Sequence, residues 1–158
     1  MSTENLNNVI GSFHDFDLIS ADQQETELQL KFECYWNEMN DPDNPYMTFN
    51  FEFEDCEFIE CDYYVISDSK DENGNLISNN FSTQEISELA KLELSLQSFE
   101  VIDGIHDLHC NGNNEVNGGV IKLRFNSPEF TISDEQGNSL TLEEYRKLFN
   151  GWWEFVGS

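Results

Sequence analysis

Positive charge is scarce in this chain of 158 residues. It has 7 Lys and Arg side chains against 32 Asp and Glu, which gives a formal net charge of −25. Nucleic acids and anionic membranes are bound through basic surfaces, so direct binding to either is not expected. The imbalance is concentrated in residues 1–117, where 26 acids and 3 bases leave a net charge of −23. A field of this strength attracts cationic partners over long distances.

The sequence also lacks a basic and apolar leader, and no apolar run in it is long enough to span a membrane. We therefore expect a cytoplasmic protein. Disulfides are rare in a reducing compartment, so free thiols are expected at Cys34, Cys56, Cys61 and Cys110. Phe is common (13 residues), which argues against a disordered chain, and the length predicts one globular domain over residues 1–158.

Alternation of apolar and polar side chains with a period of two recurs along the chain and is typical of half-buried strands. It is clearest in residues 27–36, 46–54, 58–66, 92–102, 119–125 and 129–133. Two capping-box spacings predict short helices at residues 86–91 and 142–149, the second ended by Gly151. The sequence therefore predicts a β-rich α+β fold. Its antiparallel sheet would have about five to eight strands, with one or two short helices, the last near the C-terminus.

Residues 49–64, FNFEFEDCEFIECDYY, interleave aromatic side chains with acids. We interpret residues 46–54 and 58–66 as the strands of a hairpin with Asp55-Cys56-Glu57 as its turn. Phe53 would then oppose Ile59 on the core side, while the acids would face solvent.

In this register Glu52 opposes Glu60, and like charges opposed across strands are unfavourable by roughly 0.2–1 kcal/mol for a pair. No Lys or Arg occurs between residues 46 and 66. We therefore expect a basic partner to supply the missing charge. The candidate partner-binding residues are the acids of this segment and two tyrosines: Glu52, Glu54, Asp55, Glu57, Glu60, Asp62, Tyr64 and Tyr35.

No pattern in the sequence is specific to a catalytic site. It contains no nucleophile elbow, phosphate-binding loop or dinucleotide fingerprint, and with so many carboxylates no single pair is informative. We therefore do not expect an enzyme. The strongest metal candidate combines Cys56 and Cys61 with His106, His109 and Cys110, but no spacing matches a zinc pattern. Odd separations also place strand residues on opposite faces. Buried thiols and surface histidines are expected instead, with no metal and no cofactor.

The first third of the chain has a His-Asp motif before its alternating strands. Phe13-His14-Asp15 is followed by Leu18-Ile19 and then by LQLKFECYW at residues 28–36. These motifs resemble the start of small bacterial immunity proteins of toxin–immunity systems. The resemblance implies a cytoplasmic inhibitor that covers a cognate toxin, often a basic nuclease.

Charge and resemblance together predict an acidic inhibitor that binds and neutralises a basic cognate protein, a nuclease-type bacterial toxin above all. Two alternatives remain open. One is a DNA mimic whose carboxylates imitate phosphates and block a DNA-binding protein. The other is a non-catalytic soluble domain with a merely solvated acidic surface. A mimic needs acids along a track like a double helix, whereas an immunity protein needs one acidic patch with an apolar centre.

Overall fold

The computed structural model of the protein describes residues 16–35, 37, 41–82, 86–87, 93–112 and 119–157. At residues 58–69, 76–82, 119–122, 149, 152–153 and 155–156 it describes the backbone only. The strands are β1 (Asp17–Gln24), β2 (Glu27–Cys34), β3 (Met47–Glu54), β4 (Glu57–Lys70), β5 (Leu76–Ser82), β6 (Leu94–Ile102), β7 (Ile105–Gly112), β8 (Gly119–Asn126), β9 (Glu129–Ser133) and β10 (Ser139–Leu140). A helix of 16 residues, α1 (Leu142–Gly157), follows β10.

The strands form one antiparallel sheet in the order β10-β9-β3-β2-β1-β6-β7-β8-β4-β5. The predicted β-rich α+β class is confirmed, with the helix at the C-terminal end. Of the ten strands that the described residues contribute, β1, β5, β7 and β10 lie outside the segments of clearest alternation. β10 has only two residues, too few for any periodic pattern.

The sheet bends so that its two halves face each other. The first half is β10-β9-β3-β2-β1 and the second is β6-β7-β8-β4-β5, and the ladder between β1 and β6 has only two residue pairs. Phe53 of β3 contacts Phe99 of β6 and Phe125 of β8, with ring centroids 6.1 and 4.9 Å apart. The core therefore lies between the two halves.

The predicted pairing of residues 46–54 with 58–66 as a hairpin is wrong. β3 lies between β2 and β9, so Phe53 stands opposite Leu28 and Phe130 rather than Ile59. β4 lies between β8 and β5, in the other half of the sheet.

The reason lies in the short connection from β3 to β4. Asp55 has a positive φ of 48°, and the buried Cys56 donates its amide hydrogen to the carbonyl oxygen of Thr26 at 2.7 Å. The chain is thereby drawn across to the second half instead of turning back beside itself. The inward orientation of the aromatic side chains is nevertheless confirmed, because Phe49, Phe51 and Phe53 are completely buried.

Two hairpins are closed by turns of nearly identical sequence, DENGN and DEQGN. Asp71 begins the turn between β4 and β5, and Asp134 begins the turn between β9 and β10. In each turn the Asp Oδ1 accepts the amide hydrogen of the closing Asn75 or Asn138, at 2.9 and 2.8 Å. The glycine at the fourth position has φ of 81° or 82°, a conformation that disfavours side chains with a Cβ. These hydrogen bonds lower the pKa of both aspartates.

Helix α1 begins with the predicted capping box. The Thr141 amide donates to Glu144 Oε2 at 2.7 Å, and the Glu144 amide donates to Thr141 Oγ1 at 3.2 Å. The predicted end is wrong, because the helix continues through Gly151 to Gly157. A glycine ends a helix when it adopts a positive φ, which Gly151 does not, and in a helix interior it costs only about 1 kcal/mol relative to Ala.

Two predictions rest largely on residues outside the described ranges. Residues 86–87 are in 3₁₀ conformation, and residues 88–91 of the predicted helix lie outside the described residues. The same holds for the motif Phe13-His14-Asp15.

Candidate partner-binding surface

Every described Asp and Glu side chain is at least partly exposed to solvent. Exposed carboxylates of this kind attract cationic partners through their charge.

Seven exposed carboxylates converge at one end of the bent sheet, where several strands begin or end. We call this surface the acidic end. Its members are Glu25, Glu27, Glu54, Asp55, Glu57, Asp103 and Glu129. The segments that carry them, residues 25–27, 54–57, 102–105 and 126–129, contain no Lys or Arg.

Direct backbone pairing places these acids beside one another in the first half of the sheet. Glu54 stands opposite Glu129 in the β3–β9 ladder. The hydrogen bond from Cys56 to Thr26 attaches the β1–β2 turn, which carries Glu25 and Glu27, to the same corner.

The second half contributes the remaining acids together with an apolar residue. Glu57 and Ile105 both stand opposite Asn126, on its two sides. The turn before Ile105 carries Asp103, and at its start Ile102 is 53 % exposed, the most exposed large hydrophobic side chain of the described residues. The acidic end therefore includes an exposed apolar side chain next to Asp103.

Ser127 connects the two halves of the sheet underneath the acidic end. The Ser127 side chain is buried, and its hydroxyl lies 2.6 Å from the carbonyl oxygen of Glu54 and 2.9 Å from that of Glu129. The carbonyl oxygen of Ser127 lies 3.2 Å from His106 Nε2. This network fixes the backbone beneath the acids.

His106 is completely buried, which corrects the expectation that the histidines lie at the surface. Its ring stacks on Phe125 with centroids 4.6 Å apart and meets the Phe53 ring edge-on at 5.2 Å. Burial lowers the pKa of His106, which favours the neutral imidazole with Nε2 donating to Ser127. His109 does lie on the outer face, 2.9 Å from Asp107.

The groups around His106 do not form a nucleophile and base. Its Nε2 meets the carbonyl oxygen of Ser127 and not the hydroxyl. Burial raises the pKa of the Cys56 thiol to about 11 and that of Cys110 to about 12, so both stay protonated and unreactive. Among the side chains that the structure describes, no group of three His, Cys, Asp or Glu could hold a metal ion.

The structure divides the sequence-predicted site into separate parts. Glu54, Asp55 and Glu57 lie together at the acidic end. Glu52 lies farther along β3, where its Oε1 accepts a hydrogen bond from Gln29 at 2.8 Å. Glu52 therefore has a neutral polar neighbour from β2.

The inferred contact of Glu52 with Glu60 is wrong, because β3 and β4 are not neighbours. In the β4–β8 ladder, Glu60 stands opposite Arg124 and Asp62 opposite Lys122. The register of the sheet thus brings basic residues to the positions beside the acidic residues of β4.

Tyrosine 35 lies at the opposite end of β2 from the acidic end. Eight residues of strand separate it from Glu27, a distance of about 26 Å. Its ring meets that of Tyr46 edge-on, with centroids 5.3 Å apart, beside a cleft of about 600 Å³ that we call the tyrosine cleft. For Tyr64 only the backbone on β4 is described. The predicted residues therefore do not form one patch.

Sequence reasoning missed Ile102, Asp103 and Glu129 as parts of the acidic end. The dipeptide Asp103-Gly104 between alternating segments is a strong signal for a tight hairpin, and both residues have positive φ, 52° and 77°. This signal could have located the β6–β7 turn. No local signal could have placed it beside Glu57, because that neighbourhood depends on β8.

No protein-family model, curated protein or solved structure significantly matches the chain. In the described part of the chain, no helix is both long enough and apolar enough to cross a membrane.

Proposed function

We propose that this protein is an acidic inhibitor that binds and neutralises a basic cognate protein, in the first place a nuclease-type bacterial toxin for which it serves as the immunity protein. The observation that carries the proposal is the acidic end, in which seven exposed carboxylates occur together with the exposed Ile102. A basic active site that handles nucleic acid offers the complementary charge. The interaction takes place in the cytoplasm and involves neither direct nucleic-acid binding nor catalysis.

Charge and apolar contact have different parts in such a complex. Complementary charge accelerates association and loses its effect as salt screens it. Affinity depends instead on a few well-packed residues near the centre of an interface. Ile102 is the exposed apolar residue of this surface, next to Asp103, and the acids supply the charge. Tyr35, one of the two predicted tyrosines, does not share this surface, since it lies about 26 Å from Glu27.

The arrangement favours an immunity protein over a DNA mimic. A mimic repeats negative charges along a track like that of the phosphates, of which each strand of DNA has one per about 3.4 Å of helix axis. The acidic end is a cluster drawn from four turns and strand ends, with an exposed apolar residue next to Asp103. In the β4–β8 register, basic residues also stand opposite Glu60 and Asp62.

The first experiment is capture of a partner from a lysate of the native bacterium at low salt, followed by measurement of the association rate with the purified partner. One variant neutralises four members of the acidic end: Glu54→Gln, Asp55→Asn, Glu57→Gln and Asp103→Asn. Asn tolerates the positive φ at residues 55 and 103, so the fold is retained. The matched control neutralises four exposed acids elsewhere: Asp43→Asn, Glu72→Gln, Glu143→Gln and Glu154→Gln.

We expect the acidic-end variant to associate at least about tenfold more slowly at low salt, and the control to change much less. The difference should disappear near 1 M salt, where the Debye length is only about 3 Å. Ile102→Ala should raise the dissociation rate with little effect on association. Equal slowing of both charge variants would mean that only the overall charge matters and would contradict a specific surface.

A further inference from the structure

The tyrosine cleft lies at the end of β3 opposite the acidic end, between the start of α1 and the turn from β9 to β10. Its volume of about 600 Å³ falls within the range of roughly 300–1,000 Å³ typical of small-molecule sites. Because the cleft and the acidic end lie at opposite ends of β3, a ligand could bind in the cleft independently of the protein partner proposed above.

The floor of the cleft is apolar. Phe49 is completely buried there, and Met47, Leu140 and Leu148 are partly exposed and pack against the core. Beneath the floor, the Tyr145 ring of α1 meets Phe49 with centroids 5.3 Å apart. A floor of this kind takes up methylene groups and excludes water from them.

The rim is acidic and rigid. Asp134, Glu135 and Glu144 line it, and Lys147 is the single base among the described residues of the lining. Asp134 accepts the amide hydrogens of its own turn, Glu144 belongs to the capping box, and Glu135 Oε1 accepts the Thr48 amide at 3.3 Å. These hydrogen bonds hold the three carboxylates in place before any ligand arrives, which reduces the entropy lost on binding.

The carboxylates do not converge on one point as metal ligands do, since no described cluster fits a metal ion. Separated negative charges around an apolar floor match a ligand with separated positive charges on an alkyl chain. Tyr46 also lines the cleft and is 48 % exposed, and the face of a tyrosine ring attracts ammonium groups.

We propose that the tyrosine cleft binds a small aliphatic di- or polyamine, with its methylene chain on the floor formed by Met47, Leu140 and Leu148 and its ammonium groups at Glu135 and Glu144. The binding is electrostatic and hydrophobic, with no covalent step. Both Glu144 and Asp134 have a lowered pKa because of the hydrogen bonds that they accept, so they remain charged in mildly acid solution.

Spermidine and cadaverine are the probes, titrated into the full chain at about 0.15 M salt and followed by calorimetry, with the neutral diol of the same length as cadaverine as a reference. We expect saturable binding of one amine per chain and none of the diol. Glu135→Gln should weaken binding by about fivefold, because one exposed charge contact is lost. Glu72→Gln is the matched control, because Glu72 has the equivalent place in the related turn but does not line the cleft.

A second pair of variants includes a substitution that should increase the affinity, an effect that impaired folding cannot produce. Lys147→Met removes the one base of the rim and should tighten binding severalfold. Arg146→Met removes an exposed base at the next position of α1, outside the cleft, and should leave binding unchanged. Several amines per chain with equal effects in matched variants would show only counterion attraction to a highly charged chain. That result, or the absence of binding, would overturn the proposal.

Discussion

Phe53 offers the most direct test of the bent sheet. It is completely buried, and its ring centroid lies 4.9 Å from that of Phe125, 5.9 Å from Phe130 and 6.1 Å from Phe99. One neighbour belongs to the same half of the sheet and two to the opposite half. Truncation of this side chain therefore opens a cavity where the two halves meet.

Phe53→Ala should lower the free energy of unfolding by about 3–5 kcal/mol, the usual range for a buried Phe. That is a large part of a total stability of roughly 5–15 kcal/mol. For a chain of this size, each kcal/mol of unfolding free energy corresponds to about 2–4 °C of melting temperature. The melting temperature should therefore fall by about 6–20 °C.

Urea unfolding, followed by tryptophan fluorescence, measures the change in the free energy of unfolding. Ile102→Ala serves as the control at an exposed position, and its expected change is within about 0.5 kcal/mol. A double-mutant cycle of Phe53→Leu and Phe125→Leu tests the contact itself. We expect a coupling of about 0.5–1.5 kcal/mol for an aromatic pair. Additive effects, or a Phe53→Ala variant as stable as the control, would refute the packing of the two halves.

Two further predictions concern pH and the helix cap. His106 is held neutral, so its folded-state pKa lies below the unfolded value of about 6.5. Its contribution to stability is complete above pH 6.5 and is lost as the pH falls, by up to about 1.4 kcal/mol per pH unit. His106→Gln should flatten the dependence of the free energy of unfolding on pH between about 5 and 6.5, and identical slopes would contradict this. Thr141→Ala removes the acceptor of the Glu144 amide and should cost about 0.5–2 kcal/mol in urea unfolding, whereas Glu143→Gln should cost much less. Equal losses in these two variants would mean that the cap does not stabilise α1.

Predictions from the sequence pattern were correct where the structure depends on interactions between residues close together in the chain. Side chains alternate across a strand whatever its neighbours are, so the burial of Phe49, Phe51 and Phe53 followed from their spacing. The capping box at Thr141 spans three residues and forms as its spacing predicts. The class of fold was predictable for the same reason.

Strand pairing was not predictable from alternation, because an apolar face identifies the core and not the neighbour. Phe53 fits opposite Leu28 and Phe130 as well as it would have fitted Ile59. The choice depends on the positive φ of Asp55 and on the hydrogen bond of Cys56, whose partner lies thirty residues earlier in the chain.

The candidate site also has one part that the sequence predicts and one part that only the tertiary structure determines. A net charge of −25 requires an acidic surface, and that much is a property of the sequence alone. The tertiary structure decides which acids meet: it joins Glu54 to Glu129 through the β3–β9 ladder and places Arg124 opposite Glu60. Charge is carried by each residue separately, whereas a surface depends on contacts between segments far apart in the chain, which only the folded backbone establishes.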